Sequence, residues 1–377
     1  MNIGIDASPA SFGNKSGIGF YITNILRSLA QVDKVNNYTV YSLYNDSELS
    51  SICQNNFKLS LMPNVIPISR TPWISWTAYL YSLMPLRLKQ DKIDNYLSMY
   101  PILPLISPCK NTIVIYDLTP ILLKETYPAT FRIIFHAQLL YAIKMASKVI
   151  TISQHSRNDI INYLRVPPDK IEIVYPGYDN SLFNANAKTS EISKVKNKYN
   201  INGNYILNVG TLEPKKNIVR LIKAFSYLHG KYKVNHSLVI AGKKTWHDNM
   251  IFNEAEKSPV SDKIIFTDYV PDKELPALIH GADAFIFPSL HEGFGIPPIE
   301  AMACGTPVIA SNVTALPEAV GKAGLLIDPY DITDIAEAMY RVITSQSLRK
   351  GMILAGLDNC KRFSSNQSAL KLFNILK

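Results

Sequence analysis

The amino-acid sequence predicts an α/β protein built from two doubly wound domains that face each other across a cleft. Its 377 residues exceed the length at which a single hydrophobic core usually stops growing, so two domains are expected. Short apolar runs alternate with longer segments of helical periodicity, which is typical of strand–helix–strand units. The alternation occurs twice, on either side of an Asn- and Lys-rich stretch at residues 184–203.

The apolar runs define the predicted strands and the domain boundaries. The first set lies at residues 2–6, 39–44, 112–117, 148–153 and 172–175, and the second at 205–210, 238–242, 263–270, 284–288, 307–311 and 325–328. Several runs of the second set are nearly continuous Val, Ile and Leu, as in parallel strands buried on both faces. We therefore expect an N-terminal domain at residues 1–183, a linker at 184–203, a C-terminal domain at 204–359 and a terminal amphipathic helix within 360–377.

Composition and charge disfavour several classes of protein. The sequence has no uninterrupted run of about 18 apolar residues, and its first residues lack the pattern of a secretory signal, so a cytoplasmic location is expected. Four cysteines without a Cys-x-x-Cys pair indicate structural thiols rather than a zinc site. The net charge of +9 comes with no aromatic-basic recognition motif, so nucleic acid is not an expected partner.

A basic surplus lies in the N-terminal half of the chain. Residues 58–148 contain ten Lys or Arg against four Asp or Glu. Within them, residues 70–92 combine Trp73, Trp76 and Tyr79 with basic side chains, which suits an anionic membrane surface carrying a lipid-linked acceptor. A core helix with solvated basic ends explains the same residues, and both interpretations stay open.

The stretch 288–311, PSLHEGFGIPPIEAMACGTPVIAS, has the most informative pattern. Its glycines allow a ligand to approach the backbone, and the free N–H groups and dipole of the following helix suit a diphosphate. Its two glutamates, one in the loop and one about a turn into the helix, can accept hydrogen bonds from sugar and ribose hydroxyls. The predicted donor-binding residues of this stretch are Glu292, Gly293, Phe294, Gly295 and Glu300.

Residues 208–217, NVGTLEPKKN, follow the first predicted strand of the C-terminal domain. Ligands of parallel sheets bind beyond the carboxyl ends of the strands, so this loop is a second candidate. A lysine acts as a point charge that needs no strict approach angle to a phosphate. We predict that Gly210, Lys215 and Lys216 contact the diphosphate.

The segment at residues 9–21, PASFGNKSGIGFY, follows the first predicted strand of the chain. Its glycines fit a dinucleotide fingerprint poorly, because the third glycine of G-x-G-x-x-G would fall at Ile22. We therefore predict a flexible loop that closes over a diphosphate, with Gly17 and Gly19 as contacts, and not a site for NAD.

Asp117 ends the predicted strand at residues 112–117. A carboxylate at the end of a buried strand is costly unless it is paired or functional. A role in the active site and capping of the following segment are the two interpretations of this residue.

Together these elements resemble the retaining glycosyltransferases with the GT-B fold, in their fourth sequence family, also called glycosyl transferases group 1. The family's pattern of two glutamates separated by seven residues falls on Glu292 and Glu300. The resemblance covers essentially the whole chain. It implies two Rossmann-like domains, a C-terminal helix that crosses back to the first domain, and no metal ion. It also implies that Glu292 holds the donor sugar, Glu300 the ribose and Lys216 the diphosphate.

Two positions depart from the family pattern. Lys215 replaces an arginine, which keeps the charge but loses bidentate geometry. Tyr116 stands where the family carries a histidine thought to contact the donor sugar, and we assign that role to Asp117 instead. The predicted catalytic residues are therefore Asp117, Lys216 and Glu292.

The resemblance implies a retaining hexosyltransferase that extends a polysaccharide or a lipid-linked glycan. The favoured donor is GDP-mannose or another nucleoside-diphosphate sugar, and no further cofactor is expected. A UDP-sugar donor is an alternative. A second alternative is a non-catalytic nucleotide-sugar-binding protein, because Tyr116 replaces the family's histidine. The expected location is the cytoplasm, with peripheral attachment to the inner face of the membrane if the acceptor is lipid-linked.

Overall fold

Two parallel sheets organise the chain. The computed structural model describes residues 1–12, 17–62, 72–123, 127–244 and 249–377. These residues form two units, the first comprising Met1–Gly177 with Phe363–Lys377 and the second Tyr178–Arg362. All strand pairs within each unit are parallel, and helices connect the strands. The predicted fold class, with two doubly wound α/β domains, is confirmed.

The first unit contains a seven-stranded sheet among its described residues. Its strands are β1 (Asn2–Asp6), β2 (Asn37–Ser42), β3 (Phe57–Leu61), β4 (Asn95–Ser98), β5 (Lys110–Ile115), β6 (Lys148–Thr151) and β7 (Ile171–Ile173). Its helices are α1 (Gly17–Val32), α2 (Ser47–Ile52), α3 (Pro72–Ser82), α4 (Met84–Gln90), α5 (Thr119–Leu122), α6 (Ala129–Met145), α7 (Gln154–Leu164) and the C-terminal α16 (Ser365–Leu376). The strand order is β3-β2-β1-β4-β5-β6-β7, so the order reverses between β1 and β4.

The second unit contains a six-stranded sheet in the described part of the chain. Its strands are β8 (Tyr205–Val209), β9 (Ser237–Ala241), β10 (Ile264–Asp268), β11 (Ala284–Phe287), β12 (Val308–Ser311) and β13 (Leu325–Ile327). Its helices are α8 (Thr189–Lys198), α9 (Ile218–Tyr232), α10 (Asn249–Lys257), α11 (Leu275–His280), α12 (Ile296–Ala303), α13 (Leu316–Val320), α14 (Ile332–Thr344) and α15 (Gln346–Asn359). The order β10-β9-β8-β11-β12-β13 reverses between β8 and β11.

Two strands of the first sheet were not predicted. The edge strand β3, FKLSL, is interrupted by Lys58, and β4, NYLS, is short and begins with a polar residue. Asn95 is nevertheless buried in β4, where its side-chain amide donates to the carbonyl of Leu376 at 3.0 Å. The polar group therefore has a partner that only the folded chain provides.

The C-terminal helix returns to the first unit, as predicted. Helix α16 packs against α1, and the Ser368 hydroxyl donates to the carbonyl of Tyr175 at 2.6 Å. The Phe363 ring meets the Tyr175 ring edge-on at 5.8 Å. The units divide after Gly177 and Arg362, whereas the sequence placed the boundaries near 183 and 360. Residues 184–203, expected as a linker, lie within the second unit and include α8.

The aromatic part of residues 70–92 lies in the core of the first unit. Residues 70 and 71 are outside the described residues, and the rest forms most of α3 and α4. Trp76, Tyr79 and Leu80 are buried, which supports the core interpretation of this segment. Across the described residues, no helix combines the length and the apolar character needed to span a bilayer.

A buried carboxylate connects β1 to this aromatic core. Asp6 accepts hydrogen bonds from the Trp76 indole at 2.8 Å, the Tyr96 hydroxyl at 3.2 Å and the Ser8 backbone amide at 2.9 Å. Burial raises the pKa of the Asp6 carboxyl, and the hydrogen bonds from Ser8, Trp76 and Tyr96 oppose that rise. Because each donor comes from a different segment, Asp6 fixes α3 and β4 against the end of β1.

We expect Trp76→Phe to lower the free energy of unfolding by about 1–3 kcal/mol, since it leaves a buried acceptor without its donor. Urea denaturation measures the change. Trp73→Phe is the matched control, because it removes an indole from the same aromatic cluster and keeps the three Asp6 bonds. Equal losses in both variants would mean that ring volume, not the bond to Asp6, accounts for the effect.

Candidate functional site

The candidate site of the second unit lies at the point where its strand order reverses. Strands β8 and β11 are parallel neighbours, so the loops that follow them begin side by side. The first loop leads into a short 3₁₀ helix, Pro214–Lys216, and the second leads into α12. The amide of Leu290 donates to the carbonyl of Lys215 at 2.7 Å and joins the two loops directly.

Lys216 and Glu292 form a buried ion pair across these loops. The Lys216 Nζ lies 2.6 Å from Glu292 Oε1, and each side chain is only 12% exposed. The same Nζ sits 4.7 Å from the centre of the Phe287 ring. Burial alone would raise the pKa of Glu292, but the charges of Lys216 and Lys215 and the hydrogen bond from Lys216 hold it below its ordinary value. Glu292 is therefore an ionised acceptor beside a desolvated cation.

The other predicted residues of the first loop lie around this pair. The Lys216 side chain runs along Gly210, where an added Cβ would lie 3.5 Å from Lys216 Cε. Lys215 Nζ is 3.7 Å from Glu213 Oε1, and its side chain is 17% exposed. Lys215 thus contributes positive charge near Glu292 and helps to lower its pKa.

The second loop delivers the N-terminus of α12. Gly295 is the N-cap with φ +115°, and a Cβ at this position would lie 2.7 Å from Leu316 Cδ2, so only glycine fits. Pro297 and Pro298 occupy the first turn of the helix, as predicted. Gly293 is buried, and the Phe294 side chain is also buried. The Phe294 ring is therefore packed inside the unit and is not presented to a ligand at this loop.

Thr314 supports Glu292 from a third loop and was missed by the sequence analysis. Its hydroxyl accepts a hydrogen bond from the Glu292 amide at 3.2 Å and donates to the carbonyl of Val313 at 2.8 Å. Its φ is +57°, an unfavourable conformation for a β-branched residue. Such strain is typical of functional sites, where the surrounding structure maintains it.

Asn217, also missed, joins the loops that follow β8, β11 and β13. Its side-chain amide donates to the carbonyls of Pro288 at 3.1 Å and Pro329 at 2.6 Å. Its backbone has φ +60°, which asparagine tolerates better than most residues, and it is the N-cap of α9. The available sequence signal was an Asn directly after the two lysines, at the start of a helical pattern.

Glu300 has the opposite electrostatic environment to Glu292. It lies in α12, partly buried. Burial raises the pKa of Glu300 to about 8, and the carboxylates of Asp272 and Asp179 add to the rise. Glu300 therefore retains its proton at neutral pH more readily than an ordinary glutamate. Among the residues that the structure describes, no group of three or more His, Cys, Asp or Glu side chains is placed to hold a metal ion.

The first unit places the predicted glycines in a helix rather than in a loop. Gly17 begins α1, and Gly19 is buried in its first turn. Residues 8–11 form a 3₁₀ helix, and the intervening residues 13–16 lie outside the described residues. The prediction of a flexible loop is therefore wrong for residues 9–11 and 17–21. The reason is that Ile18, Phe20 and the following residues continue the apolar pattern of α1.

Asp117 and Tyr116 follow β5 and have different local roles. Asp117 Oδ1 accepts the Thr119 amide at 2.9 Å, which is the capping contact that the sequence left open. The Tyr116 hydroxyl donates to the carbonyl of Met99 at 3.0 Å, and its ring meets that of Tyr21. Burial raises the pKa of Tyr116 well above its ordinary value. Tyr116 is thus a core residue with its hydroxyl bonded to the backbone.

Two family models match successive parts of the chain. The model described as Glycosyltransferase Family 4 matches residues 16–182, and the model described as Glycosyl transferases group 1 matches residues 189–357. The fold agrees with solved glycosyltransferases that share little sequence with it. A glycosyltransferase from Rickettsia africae has a TM-score of 0.75 at 17% identity, covering 100% of this chain and 97% of its own. HepE from Anabaena, solved with UDP and glucose, has a TM-score of 0.77 at 18% identity, covering 100% and 99%.

The two sheets and these neighbours show the GT-B fold. The two matched models, which together span residues 16–357 apart from a short gap, show that the chain belongs to the group 1 glycosyltransferases. It is 34% identical over 237 residues to O-antigen chain mannosyltransferase B of Escherichia coli, covering 63% of this chain and 62% of that protein. It is 32% identical over 261 residues to the serotype-specific mannosyltransferase WbdA of Escherichia coli, covering 68% and 32%. The chain thus matches less than two thirds of the length of either relative. O-antigen chain mannosyltransferase RfbU of Salmonella typhimurium is 28% identical over 329 residues, covering 84% and 85%.

We expect Glu300→Gln to become progressively more stabilising, relative to the wild type, as the pH rises. The folded wild type retains a proton that the unfolded chain releases near its ordinary pKa of 4.5. The stability that this proton contributes is present in full below pH 4.5 and is lost as the pH rises through about 8. Glutamine cannot ionise, so the variant lacks this loss. Thermal melting of both proteins between pH 5 and 9 measures the difference.

Glu256→Gln, at an exposed position of α10, controls for the loss of one negative charge. A difference between Glu300→Gln and wild type that stays constant across this pH range would contradict the raised pKa of Glu300.

Proposed function

We propose that this protein transfers a hexose from a nucleoside-diphosphate sugar to a polysaccharide or lipid-linked glycan, with retention of anomeric configuration. The observation that carries the proposal is the buried Lys216–Glu292 pair beside the N-terminus of α12. It combines an ionised acceptor for sugar hydroxyls with a cation and N–H groups suited to a diphosphate. Mannose is favoured because the relatives named above are mannosyltransferases.

Lys216 and the first turn of α12 would stabilise the negative charge that develops on the leaving diphosphate. Both are fixed before the donor binds: Lys216 by Glu292 and Phe287, and the helix by Gly295. Groups that are already oriented toward the developing charge need no reorganisation during the reaction, and this makes them effective. Lys215 would add positive charge at longer range.

The two glutamates would hold different parts of the donor. Ionised Glu292 would accept hydrogen bonds from hydroxyls of the hexose. Glu300 would bind the ribose hydroxyls. As a protonated carboxyl it would donate a hydrogen bond to one of them, and after losing its proton to solvent it would accept hydrogen bonds from them. Gly210, Gly293 and Gly295 would allow the donor to approach the backbone, and Gly17 and Gly19 stay candidates for contact with the diphosphate from α1.

The acceptor's proton would pass to an oxygen of the leaving phosphate, with attack on the same face of the sugar. Asp117 is our candidate for a contact to the donor sugar in place of the family's histidine. The alternative role for Asp117 is a general base for attack from the opposite face, which would invert the configuration. Its observed bond to the Thr119 amide engages one of its two oxygens.

We also propose that the protein works in the cytoplasm, at the inner face of a membrane when its acceptor is lipid-linked. The basic surplus in residues 58–148 supports this location.

The donor is tested by incubating the protein with radiolabelled GDP-mannose, UDP-glucose and UDP-N-acetylglucosamine and measuring slow hydrolysis of each. The UDP arms are included because the structurally similar HepE was solved with UDP and glucose. We expect GDP-mannose to be turned over fastest. Binding of a nucleotide sugar without turnover, with any acceptor offered, would indicate a non-catalytic binding protein.

We expect Lys216→Ala to lower kcat by about 100-fold or more while the KM for the acceptor changes little, because the lost interaction acts mainly on the leaving group. Lys223→Ala, at an exposed position of α9, is the matched control and should retain wild-type turnover. A KM effect alone would remove Lys216 from the chemical step.

We expect transfer to retain configuration and to continue in EDTA. NMR of the first-formed product reports its anomeric configuration, and the rate with and without EDTA reports any requirement for a divalent cation. An inverted product would overturn the proposed mechanism and assign Asp117 the role of general base.

We expect Glu300→Ala to weaken binding of the nucleoside diphosphate by about tenfold or more, since ribose hydroxyls left without a partner in a partly buried site cost about 1–3 kcal/mol. Isothermal titration calorimetry measures the affinity, and Glu256→Ala is the control for charge. If Glu300→Ala binds as tightly as the wild type, Glu300 does not contact the nucleotide.

A further inference from the structure

Helix α6 of the first unit is apolar on two opposite faces. One face, with Phe135, Leu139 and Ala142, is buried against the sheet. The other face carries Ile133, which is 70% exposed, and Leu140, which is 45% exposed. An α-helix at a protein surface normally directs polar residues outward, so this exposed face lacks the expected pattern.

Helix α14 of the second unit shows the ordinary arrangement in the same protein. It buries Ile335 and Met339, whereas its exposed positions include Asp334 and Arg341. Both helices have one face in a core, and they differ only in what they present to the surroundings. The exposed aliphatic residues of α6 are therefore not shared by every helix of this chain.

The apolar surface continues beyond α6 on neighbouring segments. The Tyr141 hydroxyl donates to the carbonyl of Leu105 at 2.7 Å, so the loop containing exposed Leu105 and Ile106 lies alongside the helix. Near the other end of α6, the Phe131 ring lies 6.2 Å from that of Trp73, whose neighbour Ile74 on α3 is exposed. We define the α6 surface by its exposed aliphatic residues: Ile74, Leu105, Ile106, Ile133, Ile134 and Leu140.

The charges on the helices that carry most of the α6 surface are of one sign. Helices α3, α4 and α6 contain no Asp or Glu, and they contain four Lys or Arg, namely Arg87, Lys89, Arg132 and Lys144. Lys144 is exposed and lies four residues after Leu140, on the same helix face. These three helices therefore combine aliphatic side chains with positive charges and carry no carboxylate in their described residues.

The acidic residues of the adjoining described segments are engaged elsewhere. Asp91 accepts the Tyr41 hydroxyl at 2.7 Å, and Asp94 accepts the Asn2 amide at 2.8 Å. Asp117 caps the turn at Thr119. None of these contacts brings a carboxylate to α6. Lys170 donates to the Ile143 carbonyl of α6 at 2.6 Å, so its neighbours Asp169 and Glu172 lie near the end of this helix, where Glu172 pairs with Lys148 at 3.4 Å. The charges on α6 itself are positive and favour an anionic partner.

We propose that the α6 surface docks onto an anionic lipid bilayer, with Ile133, Ile134 and Leu140 at the boundary between headgroups and acyl chains. Lys144 and Lys89 would lie near lipid phosphates. Two copies of the chain meeting through this surface would bring like charges together, which disfavours a dimer. This inference deepens the proposed function and rests on it only for the lipid-linked acceptor. The docking itself needs no catalysis.

Flotation with vesicles tests the proposal. The full chain is mixed with vesicles of phosphatidylcholine alone, or with about one third phosphatidylglycerol, and the bound fraction gives a partition coefficient. We expect clear binding to the anionic vesicles, reduced at high salt. Ile133→Ser/Leu140→Ser should weaken this binding about tenfold or more, because two large aliphatic groups no longer leave water. Lys144→Gln should weaken it about fivefold.

Leu354→Ser is the matched control, because Leu354 is 71% exposed on α15 of the second unit. It should bind vesicles like the wild type. Both altered positions of the double variant are exposed, so its melting temperature should match that of the wild type and confirm that it folds. Wild-type binding by Ile133→Ser/Leu140→Ser, or no binding of the wild type to anionic vesicles, would overturn the proposal.

Analytical ultracentrifugation gives the remaining outcome. A wild-type dimer that Ile133→Ser/Leu140→Ser converts to a monomer would make a second copy the occupant of the α6 surface and would overturn membrane docking.

Hexose transfer to a water-soluble acceptor is measured in parallel. Vesicle binding without transfer by any donor would contradict the proposed function alone, and transfer without vesicle binding would contradict the docking alone.

Discussion

The parallel direction of the strands is the constraint on which the candidate site depends. In a parallel sheet every connection must cross back, so all loops that follow strands emerge at one edge. Lys216 and Glu292 are 76 residues apart in sequence, and they meet because β8 and β11 are neighbours at the point where the strand order reverses. Thr314 and Asn217 then join the loops after β12 and β13 to the same edge.

The two glutamates of this site show how environment sets charge. Burial alone would destabilise the ionised form of Glu292. The ammonium of Lys216 at 2.6 Å stabilises that form by more than burial destabilises it, so Glu292 stays a carboxylate. Glu300 is eight residues away and has acidic neighbours in place of a lysine, so its proton is retained near neutral pH. One short segment thus supplies a carboxylate that accepts hydrogen bonds and a carboxyl that can also donate one, an arrangement known from pairs of carboxyls in enzyme active sites.

The sequence predicted the sheets and the site loops better than the contacts within them. Continuous apolar runs identified β8 to β13, whereas β4 was missed because the partner of Asn95 lies at Leu376, 281 residues away. Asn217 and Thr314 were missed because their importance depends on a left-handed backbone, which sequence patterns do not show. The aromatic residues of α3 fitted both a membrane and a core, and only the burial of Trp76 distinguished the two.

The bonds made by Asn217 have a consequence for motion at the site edge. Its one amide group holds the carbonyls of Pro288 and Pro329, and Leu290 is held in turn by Lys215. Loops on a protein surface commonly open one at a time, with small free energies of local unfolding. Here no loop can open without breaking a bond that a second loop also needs. The amide hydrogens at the site edge should therefore exchange with solvent as one cooperative unit. Their exchange should be as slow as that of the sheet beneath them, not as fast as that of a surface loop.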